Sequence, residues 1–263
     1  MAVHGKSFTE YIAAYHVERW KSVRRHLKNF NKNADEETIH KLRVEIKKLN
    51  ALYEFVGYCD RGFDDKKILG PLRHIFKLLG RLRDHSNALS LCLEFKIDIR
   101  ILDPEERKLK SIHKKIRGHA DKHKSTFRKI EKNAAKHLHH IDADKWKKYL
   151  HNKHLKITNS LAGTPTAEQL HETRSAIKKL IYNAGLYGVE IIKKTELTRL
   201  DQIEKLINQW HDVCVFCSML DEVNYKMSSP KIYAAIKKKE QLMMKEIMQG
   251  DYVSITLKGF KTL

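Results

Sequence analysis

The chain has little that would break a helix or staple a fold. Its 263 residues include four prolines, eleven glycines and four cysteines. Cys59, Cys92, Cys214 and Cys217 form no obvious disulfide framework, which points to a reducing cytoplasm. No run of about eighteen apolar residues exists, so no transmembrane helix and no membrane insertion are expected. The opening stretch MAVHGKSFTEYIAAY lacks the apolar core of a signal peptide. A glycine-rich phosphate loop of the G-x-x-x-x-G-K-S/T type is absent as well. Few breakers combined with long 3.6-residue periodicity predict an almost wholly helical protein.

Positive charge is what the chain has in excess. The formal net charge is +20 and the pI is near 9.7. Solubility does not ask for that much, so a polyanionic partner is implied. Nucleic acid, a membrane surface and a polyphosphate all fit at this stage. The sixteen histidines add charge as pH falls toward about 6. Hydrophobic content of 41% beside 32% charged residues is that of a folded, soluble chain. Its length suffices for one large core or two modest ones.

Periodicity places a first helix at about Phe8–Phe30, with Ile12, Tyr15, Val17, Trp20, Val23, Leu27 and Phe30 on its apolar side. Asp35 is a candidate N-cap for the second helix. A third runs from about Asp64 to Ile97, kinked at Gly70-Pro71, with Leu72, Ile75, Phe76, Leu79, Leu82 and Leu89 facing a core. Asp103-Pro104 reads as an N-cap with proline at the first helical position, opening a helix to about His140. Residues 101–160 carry half the net charge and half the histidines. The pattern then starts again. Trp146, Tyr149, Leu150, Leu155 and Leu161 mark one helix, and Thr166 with Gln169 is a candidate capping box for another reaching Gly188. Leu197–Val223 and a helix from Ser229-Pro230 to Gln249 complete the series. The tail 251–263 alternates briefly and reads as a short extended segment.

The second helix holds the feature around which the rest is arranged. In HKLRVEIKKLNALYEFV, Ile39, Leu42, Ile46, Leu49, Tyr53 and Val56 form one apolar stripe, while His40, Arg43 and Lys47 form a basic stripe roughly 130° away. The same types return in the second half of the chain, at the same internal spacing, as His171, Arg174, Lys178, Lys179 and Leu180. A solvated charged face drifts freely between copies, so its recurrence argues for a use. Arginine offers a planar fork matched to phosphate oxygens, lysine a point charge and histidine a hydrogen bond. Lys77 and Asp84 recur as Lys205 and Asp212, with the interval between them kept. These repeats predict two tandem four-helix bundles related by a pseudo-twofold axis, with halves 6–140 and 141–250.

His40-Lys-Leu-Arg43-Val44 followed by Lys47-Lys48-Leu49 resembles the signature of the CHAD family, the conserved histidine α-helical domain. Leu79-Gly80-Arg81-Leu82-Arg83-Asp84 resembles the family's L-G-x-x-R-D motif. His171-x-x-Arg174 and Asn208-Gln-Trp-His211-Asp212 resemble its second half. Asn50, Ser86 and Ser175 depart from the pattern. The resemblance covers nearly the whole chain. It implies one all-α domain over 6–250 with a basic central surface that binds inorganic polyphosphate, a non-enzymatic role and an association with polyphosphate granules. No E-x-E-x-K pattern of the triphosphate-tunnel enzymes accompanies it.

One half of the expected site is His40, Arg43, Lys47, Lys48, Arg73, Lys77 and Arg81. The other is His171, Arg174, Lys178, Lys179 and Lys205, with Lys114, Lys115 and Arg117 extending it. No cofactor and no metal are expected. His211-Asp212 spells the dyad of metal phosphohydrolases, which keeps a metal-dependent phosphohydrolase as the alternative. A basic nucleic-acid scaffold is the other, with non-specific binding in vitro expected at this charge. Asp84 and Asp212 read as orienting partners for neighbouring cations, His119 and His123 as surface histidines, and Cys214 with Cys217 as buried helix thiols. The arrangement requires that the two basic stripes converge on one surface.

Overall fold

The computed structural model describes residues 7–162, 165–187 and 191–249. The expected extended tail at 251–263 lies outside them. Helix starts follow local chemistry. α1 (Phe8–Lys32) opens on a capping box in which Ser7 and Glu10 satisfy each other's backbone N–H groups. α2 (Glu36–Cys59) opens at Asp35, whose carboxylate accepts from the Thr38 N–H at 2.7 Å.

The expected third helix is divided at Leu69 into α3 (Asp65–Ile68) and α4 (Gly70–Glu94). Pro71 sits in the first turn of α4, where its missing N–H costs nothing. The expected fourth helix is also divided, at His123, into α5 (Asp103–Lys122) and α6 (Lys124–Ala135). Asp103 is not the N-cap. A 3-10 turn at Ile99–Leu102 runs straight into α5, so Leu102 takes the cap position and no side chain caps the helix.

In the second half, α7 (Ala143–Leu161) precedes α8 (Ala167–Ala184), which starts on the Thr166–Gln169 capping box. α8 ends at Ala184, short of the expected Gly188, which lies outside the described residues. α9 (Lys194–Glu222), the single turn α10 (Tyr225–Ser228) and α11 (Pro230–Gln249) follow. Among the described residues, no helix is long and apolar enough to cross a membrane.

Like elements meet across the two halves. α2 packs on α8, and α4 packs on α9. Leu72, Ile75, Leu79 and Leu82 of α4 are buried, and so are their counterparts on α9, Leu200, Ile203, Ile207 and Trp210. The displacement along the chain is the one that carries Lys77 to Lys205. This pairing of like elements is what a pseudo-twofold relation between the halves would give. The halves do not keep separate cores. One cluster runs through α1, α2, α4, α7, α8 and α9, and a smaller one joins the far ends of α4 and α9 to α11. Phe8 packs on Trp146 and Tyr187 with ring centroids 5.5 and 4.8 Å apart. The buried Asn183 amide of α8 donates to the Ala51 carbonyl of α2 at 2.9 Å.

Two expected core residues lie outside. Val17 and Leu155 are exposed, and the neighbouring His16 and His154 are fully buried instead. Each histidine enters the core because it finds a partner there. His154 Nε2 lies 2.9 Å from Glu196, and His16 Nε2 lies 2.8 Å from the Tyr53 hydroxyl. The same hydroxyl accepts from Trp20 Nε1–H at 2.8 Å. Burial lowers the His16 pKa to about 4, so the ring is neutral at pH 7.

Tyr53→Phe should therefore strand two buried partners and cost about 1–3 kcal/mol, read as a lowered thermal midpoint in circular dichroism. Because the unfolded chain binds the His16 proton at its ordinary pKa, stability should also fall as pH drops from about 6.5 through about 4. Thermal midpoints taken across that range check the sign.

Candidate functional site: a cationic cleft between α2 and α8

The pairing of α2 with α8 brings the two basic stripes onto one surface. Arg43 and Lys47 face His171, Arg174, Lys178 and Lys179 across a cleft of about 200 Å³. Asn50, Phe76, Ser175, Tyr182 and Glu204 complete its lining.

Arg43 is anchored on α4. Its guanidinium lies 4.4 Å from the Phe76 ring centroid and donates to the Phe76 carbonyl at 3.1 Å. Phe76 is half-buried, packing against the core as expected while its other side lines the cleft. Gly80 makes the approach feasible, because a Cβ there would stand 3.1 Å from Arg43 Nη1. Arg174 is anchored differently. It donates to Asn208 Oδ1 at 2.8 Å, and Asn208 is the counterpart of Gly80 on α9. Asn208 donates in turn to Asp212 at 3.0 Å, and Asp212 accepts from Arg83 of α4 at 3.3 Å. This relay ties α8, α9 and α4 together beside the cleft.

Among the described residues, no carboxylate forms an ion pair with Arg43, Lys47 or Arg174. Burial, then Arg83, lowers the Arg43 pKa to about 10. Burial, then Arg43, Arg83 and Arg174, lowers Lys47 to about 8. Burial and neighbouring cations also lower His40 and His171, and they push His211 to about 4. These rings are neutral hydrogen-bonding groups at pH 7 rather than cations. Asp212 orients Arg83, as expected. Among the described residues Asp84 makes no such bond, and burial raises its pKa despite the nearby arginines.

The remaining expected residues are spread more widely. Lys178 is paired with Glu204 at 2.9 Å and Asp201 at 3.2 Å. Lys179 is paired with Glu54, which also takes Lys153 and the Tyr149 hydroxyl. His40 is exposed, one turn before Arg43. Lys48 turns away from the cleft to Glu45 at 2.9 Å. Arg73 pairs with Asp65 at 3.1 Å, and the exposed Lys205 with Asp201 at 2.8 Å. Lys77 is exposed on α4. Arg81 and Lys115 line a second cavity, of about 370 Å³, with Lys108 between α4 and α5. Lys114 and Arg117 are exposed on α5 and line neither cavity.

His119 and His123 are half-buried rather than surface residues. The tilted rings of His74, His119 and His123 follow one another, with successive centroids 4.5 and 4.2 Å apart. Among the described residues, no three His, Cys, Asp or Glu side chains are grouped to hold a metal ion. Cys217 is buried and Cys214 half-buried, and burial raises both thiols, to about 11 and about 12. Phe76, Gly80, Arg83, Glu204 and Asn208 were not among the expected binding residues. The displacement from Lys77 to Lys205, applied to every position of α4, would have paired Phe76 with Glu204 and Gly80 with Asn208.

Lys47 costs the ligand-free protein stability, since its folded pKa lies below its unfolded value. Lys47→Met should raise the thermal midpoint at pH 7, by about 2–4 °C per kcal/mol recovered. The gain should shrink between pH 8 and 10.5, as the wild-type lysine loses its proton. Parallel melting curves of the two proteins across that window test this.

Comparison with known proteins places this geometry in a family. The crystal structure of the CHAD domain from the plant Ricinus communis is similar over 99% of this chain and 96% of that chain, with a TM-score of 0.67 and 16% sequence identity. At that identity the likeness speaks for the fold alone. No curated protein matches the chain. The sequence model of the CHAD domain matches residues 12–221, from α1 to the end of α9, and the chain belongs to the CHAD domain family.

Proposed function

We propose that the protein binds inorganic polyphosphate in the α2–α8 cleft and does not catalyse its turnover. One observation carries this reading: Arg43, Lys47 and Arg174 share a cleft with no ion-pair partner among the described residues, and Arg174 depresses Arg43 while both arginines depress Lys47. A phosphate chain relieves that repulsion and accepts from both guanidinium forks. His40 and His171 add neutral donors that gain a proton beside an anion. Polyphosphate is flexible and carries about one charge per phosphate, so a chain anchored in the cleft can also reach the Arg81–Lys108–Lys115 cavity. The groups that face the ligand are donors, and the one carboxylate among them, Glu204, is bound to Lys178. Such a set holds an anion through donated hydrogen bonds and positive charge. The matching setting is the cytoplasm, at polyphosphate granules.

Arg43→Glu combined with Arg174→Glu should weaken long-chain polyphosphate binding about 100-fold or more without unfolding the protein, since each reversal replaces an attraction by a repulsion. Calorimetry and circular dichroism read the two effects, and unchanged binding would overturn the site. Affinity should fall as salt rises, by the counterion logic that governs nucleic-acid binding. At matched salt, short polyphosphate should displace DNA from the protein.

Binding near pH 8 should also take up protons, because phosphate raises the depressed Lys47 pKa. Affinity should then decline as pH rises above 8. Calorimetry in buffers of different ionisation enthalpy measures the uptake.

A further inference from the structure

One difference between the two halves changes the charge inside the cleft. Lys178 of α8 is the counterpart of Lys47 of α2, and Glu204 of α9 is the counterpart of Phe76 of α4. The aromatic face under Arg43 becomes a carboxylate in the second half. Lys47 has no ion pair among the described residues, and burial and its cationic neighbours lower its pKa. Burial works the same way on Lys178, but Glu204 and Asp201 outweigh it and raise the pKa. Glu204 is 4% exposed, its Oε2 lies 2.9 Å from Lys178 Nζ, and it is the largest influence keeping Arg174 charged against burial. A buried carboxylate in an anion-binding cleft repels the ligand unless it stands where part of the ligand would stand.

We infer that Glu204 is an internal counter-ion occupying the second half's phosphate position, so that polyphosphate docks first at Arg43, Lys47 and Arg174 and gains Lys178 only by displacing it from Glu204. The inference rests on the polyphosphate reading of the cleft. It makes the cleft selective for chain length. Glu204 is tethered beside Lys178 and competes at high local concentration. A short polyphosphate held at the first position has few further phosphates with which to compete. A long chain, anchored elsewhere on the basic surface, presents phosphates to Lys178 at comparable local concentration and completes the exchange.

The test is calorimetric titration of the full chain with tripolyphosphate and with long-chain polyphosphate, on wild type, Glu204→Gln and Phe76→Glu. Lys178 keeps Asp201 as a partner in Glu204→Gln, so that variant leaves no buried lysine unpaired. Glu204→Gln should bind tripolyphosphate about 3–10-fold tighter, the range for one desolvated charge contact, and should narrow the preference for long chains. Its salt dependence should steepen by about 0.7–0.9 per tenfold change in salt, as for one more neutralised phosphate. Phe76→Glu copies the second half's arrangement under Lys47 and should weaken both ligands by about tenfold or more. Tripolyphosphate binding by Glu204→Gln that is no tighter than wild type overturns the inference. Should Glu204→Gln fail to fold, unchanged binding by Phe76→Glu overturns it instead. Loss of binding in the Arg43→Glu, Arg174→Glu protein alongside a neutral Glu204→Gln leaves the cleft standing and removes only the counter-ion. Binding intact in both removes the cleft as well.

Discussion

Holding like charges together, partly out of water, is the constraint on which the rest of this structure depends. Arg43, Lys47 and Arg174 would separate if their helices were free to move. The fold prevents this by fixing each from outside the cleft. Phe76 and the space above Gly80 seat Arg43, and Asn208 seats Arg174. The shared core then keeps α2 against α8, with Asn183 spanning them and Phe8 wedged between Trp146 and Tyr187. The apolar interior supplies the energy that holds these cations in place.

The acidic residues belong to the same logic. The chain has 32 acidic residues against 52 basic ones, and those beside the cleft are placed selectively. Glu54 gathers Lys153 and Lys179, Glu204 and Asp201 hold Lys178, and Asp212 holds Arg83. Each quiets a cation at the margin of the cleft and leaves the three central ones unpaired. Duplication alone would have made the halves equivalent. The exchange of Phe76 for Glu204, and of Gly80 for Asn208, makes them chemically different while the backbone arrangement is kept.

Much of this could be read along the chain because it is local or periodic. The caps at Asp35 and Thr166 need only a side chain and a backbone N–H three residues on, and both formed as expected. The stripe from Ile39 to Val56 needs only the helical period. Where a partner from elsewhere in the chain decided the outcome, local reading failed. His16 displaced Val17 from the core because Tyr53, far away in sequence, offered a hydroxyl. Phe76 packs on the core as its period requires, but its second role, as a surface for Arg43, depended on α2. Lys48 and Arg73, basic residues in promising places, turned to Glu45 and Asp65 instead.

The sequence by itself determined the helices, the duplication and the identity of the two repeated stripes, since periodicity and capping act within a few residues of chain. Only the tertiary structure decided that the stripes face each other, which of their cations remain unpaired and which acidic residue stands among them. Those outcomes depend on distances between residues from opposite halves of the chain, and no local pattern encodes such distances. Lys47 and Lys178 occupy the same place in the repeat. One became a depressed, unpaired cation and the other a neutralised one because α9 brings a carboxylate to the second, where the equivalent position of α4 is Phe76.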